Sequence, residues 1–90
     1  MRPLFANNLR ENKVTSIDVS PGMKYLIAGY KDGSIGIWDI AQYKLEKLIK
    51  DAHNTEITGA KCYYMEEEKK EIHIVSAEAS GKVKLIEIKN

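Results

Sequence analysis

The chain is poor in the residues that crosslink, ligate or catalyse. Its 90 residues include one cysteine, two histidines, two prolines, one tryptophan and one phenylalanine. Cys62 has no intramolecular partner, so no disulfide framework is expected, and a lone thiol suits a reducing compartment. His53, Cys62 and His73 stand nine and eleven residues apart, without the paired spacing a metal site needs. No Gly-x-Ser-x-Gly elbow, His-Glu-x-x-His pair, Gly-x-Gly-x-x-Gly turn or Walker sequence is present. Catalytic residues, metals and cofactors are therefore all expected to be absent, and the chain is not expected to be an enzyme. Charge of one sign is also missing: 14 Lys+Arg face 13 Asp+Glu, for a net charge of +1. Lys13, Lys24, Lys31, Lys44, Lys47 and Lys50 are interleaved with acids, which excludes a nucleic-acid footprint. The longest apolar run, residues 26–30, is far short of the roughly 20 residues of a membrane span. Residues 1–10 show no charged-then-apolar leader, so no secretory signal is expected. What remains, 43% apolar and 30% charged, is a globular composition.

An internal repeat fills most of this chain. Shifted by 48, Leu26-Ile27-Ala28-Gly29 falls on Ile74-Val75-Ser76-Ala77, and Asp32-Gly33 falls on Ser80-Gly81. The same shift brings Ile35-Gly36-Ile37-Trp38-Asp39-Ile40 onto Val83-Lys84-Leu85-Ile86-Glu87-Ile88. Upstream, Val14-Thr15 meets Ile57-Thr58 at a shift of 43. The difference of five marks an insertion in the second copy, the Glu/Lys-rich segment 65–71. Mixed charge makes that segment a solvated hairpin loop in expectation. Of Tyr63 and Tyr64 just before it, one is expected to face the core and the other the rim.

Each copy reads as β-structure. Residues 14–19, 25–29, 35–40 and 57–63 are short, rich in β-branched side chains and bounded by turn signals. Pro21-Gly22 presets a tight turn; Asp32-Gly33 and Ser80-Gly81 suggest two-residue hairpins of type I′ or II′. Ile35, Ile37, Ile40 and Trp38 place apolar groups on both faces of one strand, so the sheet is expected to be covered on both sides. Residues 41–50 conflict with this pattern. They are good helix formers, with Leu45, Leu48 and Ile49 at helical spacing. The repeat instead requires a fourth strand over 44–49, and the repeat is followed here.

These motifs resemble the WD40 repeat, a four-stranded β-propeller blade with a period of roughly 40–45 residues and a Gly-His…Trp-Asp signature. Asp32-Gly33-Ser34-Ile35-Gly36-Ile37-Trp38-Asp39 matches the end of that unit, and Ala52-His53 stands where Gly-His opens the next. The resemblance implies an all-β chain of about two antiparallel blades, an incomplete propeller. Residues 1–13 would be a lead-in or the outer strand of a preceding blade, 14–50 the first blade, and 51–90 the second, without its final strand. The structural network implied for such blades falls on Asp32, Trp38 and Asp39 in the first copy and His53 and Ser76 in the second. Ala28 replaces the first copy's hydroxyl residue; Ser80 and Ile86 replace the second copy's Asp and Trp. Two blades alone would leave faces such as those of Ile37 and Ile86 uncovered.

The tracts 20–30, 33–39 and Lys50-Asp51-Ala52-His53 further resemble the N-terminal propeller of the vacuolar protein sorting-associated protein 8 family, a subunit of the CORVET endosomal tether. That resemblance implies a non-catalytic protein–protein interaction scaffold in vesicle transport. It would be cytoplasmic and held on endosomal membranes only through partners, without direct membrane insertion. Partners would be other proteins, such as tethering-complex subunits or a Rab GTPase, and the remaining blades of its own ring. Propellers often bind where loops converge near the central channel, which points to Tyr30, Lys31, Asn54, Glu56 and Glu78. The alternative is that the blades only complete a larger ring, in an unrelated WD40 protein, with no contact site of their own.

Overall fold

A computed structural model of the chain describes residues 13–66 and 68–89. The expected lead-in over 1–13 falls, except for Lys13, outside the described residues. The strands are β1 (Val14–Val19), β2 (Tyr25–Tyr30), β3 (Ile35–Asp39), β4 (Lys44–Ile49), β5 (Ile57–Glu66), β6 (Glu71–Glu78) and β7 (Val83–Ile88), with a 3₁₀ turn at Pro21–Met23. They form one four-stranded sheet, β1-β2-β3-β4, and one three-stranded sheet, β5-β6-β7. Every pairing is antiparallel between chain neighbours. The chain is thus all-β, two successive meanders of an incomplete propeller.

The core lies between the sheets. Tyr25, Ile27, Ile35 and Ile37 of the first face Ile57, Ala60, Cys62, Ile72 and Ile74 of the second, with Ile49, Met65, Ile86 and Ile88 at the margin. Each buried isoleucine contributes about 2 kcal/mol through area removed from water. The sheets meet along β1, β2 and β5, where Asp18 Oδ2 accepts a hydrogen bond from the Cys62 amide at 2.9 Å. Ile37 is therefore buried and Ile86 partly so, both against the neighbouring sheet. The expectation that their faces stand uncovered is corrected. Apolar side chains are open on the opposite face of the second sheet, where Val83 and Leu85 are 63% and 69% exposed, and on β1, where Ile17 is 65% exposed. On the outer face of the first sheet, Ala28, Tyr30 and Trp38 are buried with Leu26, Leu45 and Leu48 packed against them.

The helical spacing of 44–49 has a β explanation. Ile37 pairs with Lys47 but Trp38 pairs with Leu45, so Glu46 is an extra, bulged residue. The bulge returns Leu45 and Leu48 to one face, against Trp38, while Ile49 reaches the inter-sheet core. Strict alternation would have placed them on opposite faces.

Turn chemistry also differs from expectation. At 30–34 the Gly33 amide donates to Tyr30 O at 3.1 Å and the Tyr30 amide to Ser34 O at 3.0 Å. The second copy repeats this with Gly81 to Glu78 and Glu78 to Lys82. Positive φ occurs at Gly33 (+89°) and Gly81 (+97°), while Asp32 and Ser80 keep negative φ. These are three-residue loops with glycine in the left-handed position, in place of the two-residue I′ or II′ hairpins. Pro21-Gly22 behaves as read: Gly22 has φ 79° and ψ 1°, and the Met23 amide closes the turn on Ser20 O at 2.9 Å.

The charged insertion forms the end of a hairpin, with residues 68–70 in the turn. Met65 and Glu66 pair with Ile72 and Glu71, so it lengthens the β5–β6 hairpin. A register shift between Cys62 and Tyr64 turns both tyrosines outward; Tyr63 and Tyr64 are 51% and 41% exposed. Both rings rest on His73, with centroids 5.7 and 4.7 Å away. The expected division of the pair between core and rim is corrected accordingly.

Candidate interaction site

Three segments converge at one end of the module: the β2–β3 turn, the 52–56 connection and the β6–β7 turn. Backbone bonds tie them together. The His53 amide donates to Gly33 O, the Ala79 amide to Glu56 O, each at 3.0 Å, and the Lys31 amide to Lys13 O at 2.8 Å. Lys84 Nζ reaches Ala52 O at 2.6 Å. Gly33 is required by more than its φ. A Cβ there would collide with the His53 carbonyl and lie 2.8 Å from Thr55 O.

Glu78 organises this end. Its Oε2 accepts hydrogen bonds from the Asn54 amide, the Thr55 amide and the Thr55 hydroxyl, each at 3.0 Å. Its Oε1 accepts from the Ser80 hydroxyl at 2.9 Å. Burial alone would raise the carboxyl's pKa. The Thr55 amide and the Ser80 and Thr55 hydroxyls outweigh it, with His53 adding a smaller pull, and hold it at about 2. His53 Nε2 shares a 2.7 Å hydrogen bond with Ser76 Oγ, and Nδ1 lies 3.7 Å from Glu78 Oε2.

In the first copy, Trp38 Nε1 donates to the Tyr30 hydroxyl at 3.0 Å. Burial pushes the Tyr30 phenol up in pKa, with the Trp38 bond opposing it. Asp32 Oδ1 accepts the Ser34 amide at 2.9 Å, which closes the β2–β3 turn. Asp39 Oδ1 accepts the Gln42 amide at 3.0 Å and caps the β3–β4 turn.

The five residues expected to face a partner therefore divide. Lys31, Asn54 and Glu56 are exposed on the loops that these bonds join. Tyr30 and Glu78 are 2% and 4% exposed and bonded inward, so their assignment to a contact surface is corrected. Both stand at the same repeat position, 48 residues apart, each two residues beyond the network position Ala28 or Ser76. Each is the last residue of its strand, β2 or β6, a position whose direction tertiary packing decides. Elsewhere, Cys62 is buried in β5, and burial raises its thiol pKa despite a hydrogen bond to Tyr64 O, with Asp18 adding to the rise. Among the described residues no cluster of three or more His, Cys, Asp or Glu could hold a metal, and no helix is long and apolar enough to cross a membrane.

Comparison with known proteins gives this geometry a family. The family model described as "Vps8 beta-propeller" matches residues 4–90. No curated protein matches. Among solved structures, the computationally designed Ika4 protein is similar at TM-score 0.62 and 27% identity, over 83% of this chain and 41% of that one. The Cps50 (Swd1) beta-propeller domain of Myceliophteria thermophila is similar at TM-score 0.65 and 15% identity, over 87% of this chain and 25% of that one. The chain thus spans less than half of either structure.

Proposed function

The chain belongs to the Vps8 beta-propeller family, and from that premise we propose that it serves as a non-catalytic protein–protein interaction scaffold in an endosomal vesicle-tethering subunit. One observation supports this reading above others: Lys31, Asn54 and Glu56 are exposed on loops whose backbones are tied down by Gly33, His53 and Glu78. Rigid loops lose little entropy on binding, which suits recognition better than a mobile rim would. The partners are other subunits of the tether or a Rab GTPase, and the protein works in the cytoplasm, peripheral to endosomes. The test is replacement of Lys31, Asn54 and Glu56 together by alanine in the full-length protein. Recovery of the tethering subunits and of a GTP-loaded Rab should fall while the melting temperature stays unchanged. Undiminished recovery would refute the reading.

The exposed Val83 and Leu85 favour a second reading, in which the blades mainly complete a ring. Under it, lysine at both positions destabilises the intact propeller and the triple-alanine variant binds normally.

A further inference from the structure

Glu78 is 4% exposed, yet the residues whose donors reach its carboxylate, Asn54, Thr55 and Ser80, are all exposed. The carboxylate thus lies beneath the rim, out of a partner's reach, and bonds outward to two separate segments. Oε2 takes the two amides and the hydroxyl of the 52–56 connection, while Oε1 takes the Ser80 hydroxyl of the β6–β7 turn. The neighbouring imidazole is not the target: His53 Nδ1 has no hydrogen-bond partner, although Glu78 Oε2 is 3.7 Å away. Every one of these contacts needs an acceptor, which a carboxylate supplies on both oxygens. Glutamine would turn its NH₂ toward donors on one side, and aspartate is one methylene short. The first copy uses the same repeat positions differently. Tyr30 bonds to Trp38 inside its own sheet, and Asp32 closes its own turn on the Ser34 amide.

We infer that Glu78 is the positioning residue of the loop-end site: its carboxylate fixes Asn54 and Thr55 in the conformation that meets a partner, and couples them through Ser80 to the β6–β7 turn. The inference rests on the functional reading above. It adds that a turn carrying none of the three contact residues governs the contact. Loss of the clasp frees the backbone at 54–55, and a partner must then order it again on binding. The Ala79 amide bond to Glu56 O joins the same turn to the same connection, so the two segments shift together. Glu78 touches no partner; it acts through Asn54 and Thr55.

Hydrogen exchange resolved to single amides, in the full-length protein without any partner, reads the clasp directly. Glu78→Gln should speed exchange at Asn54 and Thr55 by about tenfold, as bonds to a charged acceptor are lost. The His53 amide, which donates to Gly33 O, should stay as protected as in the parent. Ser80→Ala makes the same test at an exposed position: exchange at Asn54 and Thr55 should rise about threefold, and Ser80→Thr, which keeps the hydroxyl, should restore it. Recovery of the tethering subunits and of a GTP-loaded Rab should fall in Glu78→Gln. Combined with Asn54→Ala, the loss should be smaller than the sum of the two separate losses, because one residue acts through the other. The inference is overturned by unchanged exchange at Asn54 and Thr55 in Glu78→Gln, by failure of Ser80→Thr to restore what Ser80→Ala loses, or by losses that simply add. Undiminished recovery in the Lys31/Asn54/Glu56 alanine variant refutes the functional reading instead, and exchange then decides the clasp by itself.

Discussion

Four glycines separate backbone strain from collision, and Gly33→Ala is the decisive member of the series. Gly33 has φ +89°, where an L-residue costs roughly 1–2 kcal/mol. Its added Cβ would also meet the backbone of His53, with the carbonyl carbon at 2.9 Å and the oxygen nearer still. A main-chain neighbour cannot rotate aside, so the 52–55 connection must move. Movement breaks the His53 amide bond to Gly33 O, worth about 1 kcal/mol. It also disturbs the buried His53–Ser76 bond, and leaving such groups unsatisfied costs about 1–3 kcal/mol. The total is about 3–6 kcal/mol, a large share of the roughly 5–15 kcal/mol that holds a domain folded. Gly81→Ala isolates the strain, because φ is +97° and nothing lies within 4 Å; about 1–2 kcal/mol is expected. Gly29→Ala isolates collision, here with the Ile57 side chain and with Ser16 Oγ at 2.6 Å, and should cost about 1–3 kcal/mol. Gly59→Ala has neither penalty and should fall within about 0.5 kcal/mol of the parent. Denaturant unfolding of the intact propeller, read by circular dichroism, ranks the four. If Gly33→Ala costs no more than Gly81→Ala, the joint between the sheets does not depend on that contact, and the reasoning is wrong.

Further outcomes follow from the same geometry. The Glu78 carboxyl sits at about 2 in the folded protein and near 4.5 when free, so the unfolded chain takes up its proton first. Its contribution is complete above about pH 4.5 and disappears as pH falls toward 2. Melts of Glu78→Gln and the parent should therefore differ most at neutral pH and converge in acid. Cys62, buried and with its thiol pKa raised, should react slowly with iodoacetamide in the native protein and rapidly in guanidinium. Equal native and denatured rates would contradict its burial. Tyr30→Phe removes the bond to Trp38 Nε1 without changing shape greatly and should cost about 1 kcal/mol in thermal unfolding.

The strands were legible because alternation and turn residues agree with the repeat, as at Val14–Val19 and around Pro21-Gly22. Residues 44–49 carried conflicting signals, because a bulge at Glu46 imitates helical spacing; the repeat decided correctly for a strand, and only the pairing partner reveals the bulge. The hairpin turns were placed correctly but mistyped, since Asp-Gly is compatible with two loop lengths and backbone hydrogen bonds decide between them. At the site, Lys31, Asn54 and Glu56 were legible as loop residues from turn position. Tyr30 and Glu78 were not, because a residue at a strand end points inward or outward according to tertiary packing.

The contact along β1, β2 and β5 gives the pair of sheets the shape of an opened book. The spine holds the Asp18–Cys62 bond and the fully buried isoleucines, while a cleft opens toward the fore-edge. Such a wedge resists separation at the spine and yields first at the fore-edge, where few contacts oppose a change of angle. The angle between the two sheets is thus set along the spine, by the Asp18–Cys62 bond and the isoleucines packed behind it, and not at the open edge.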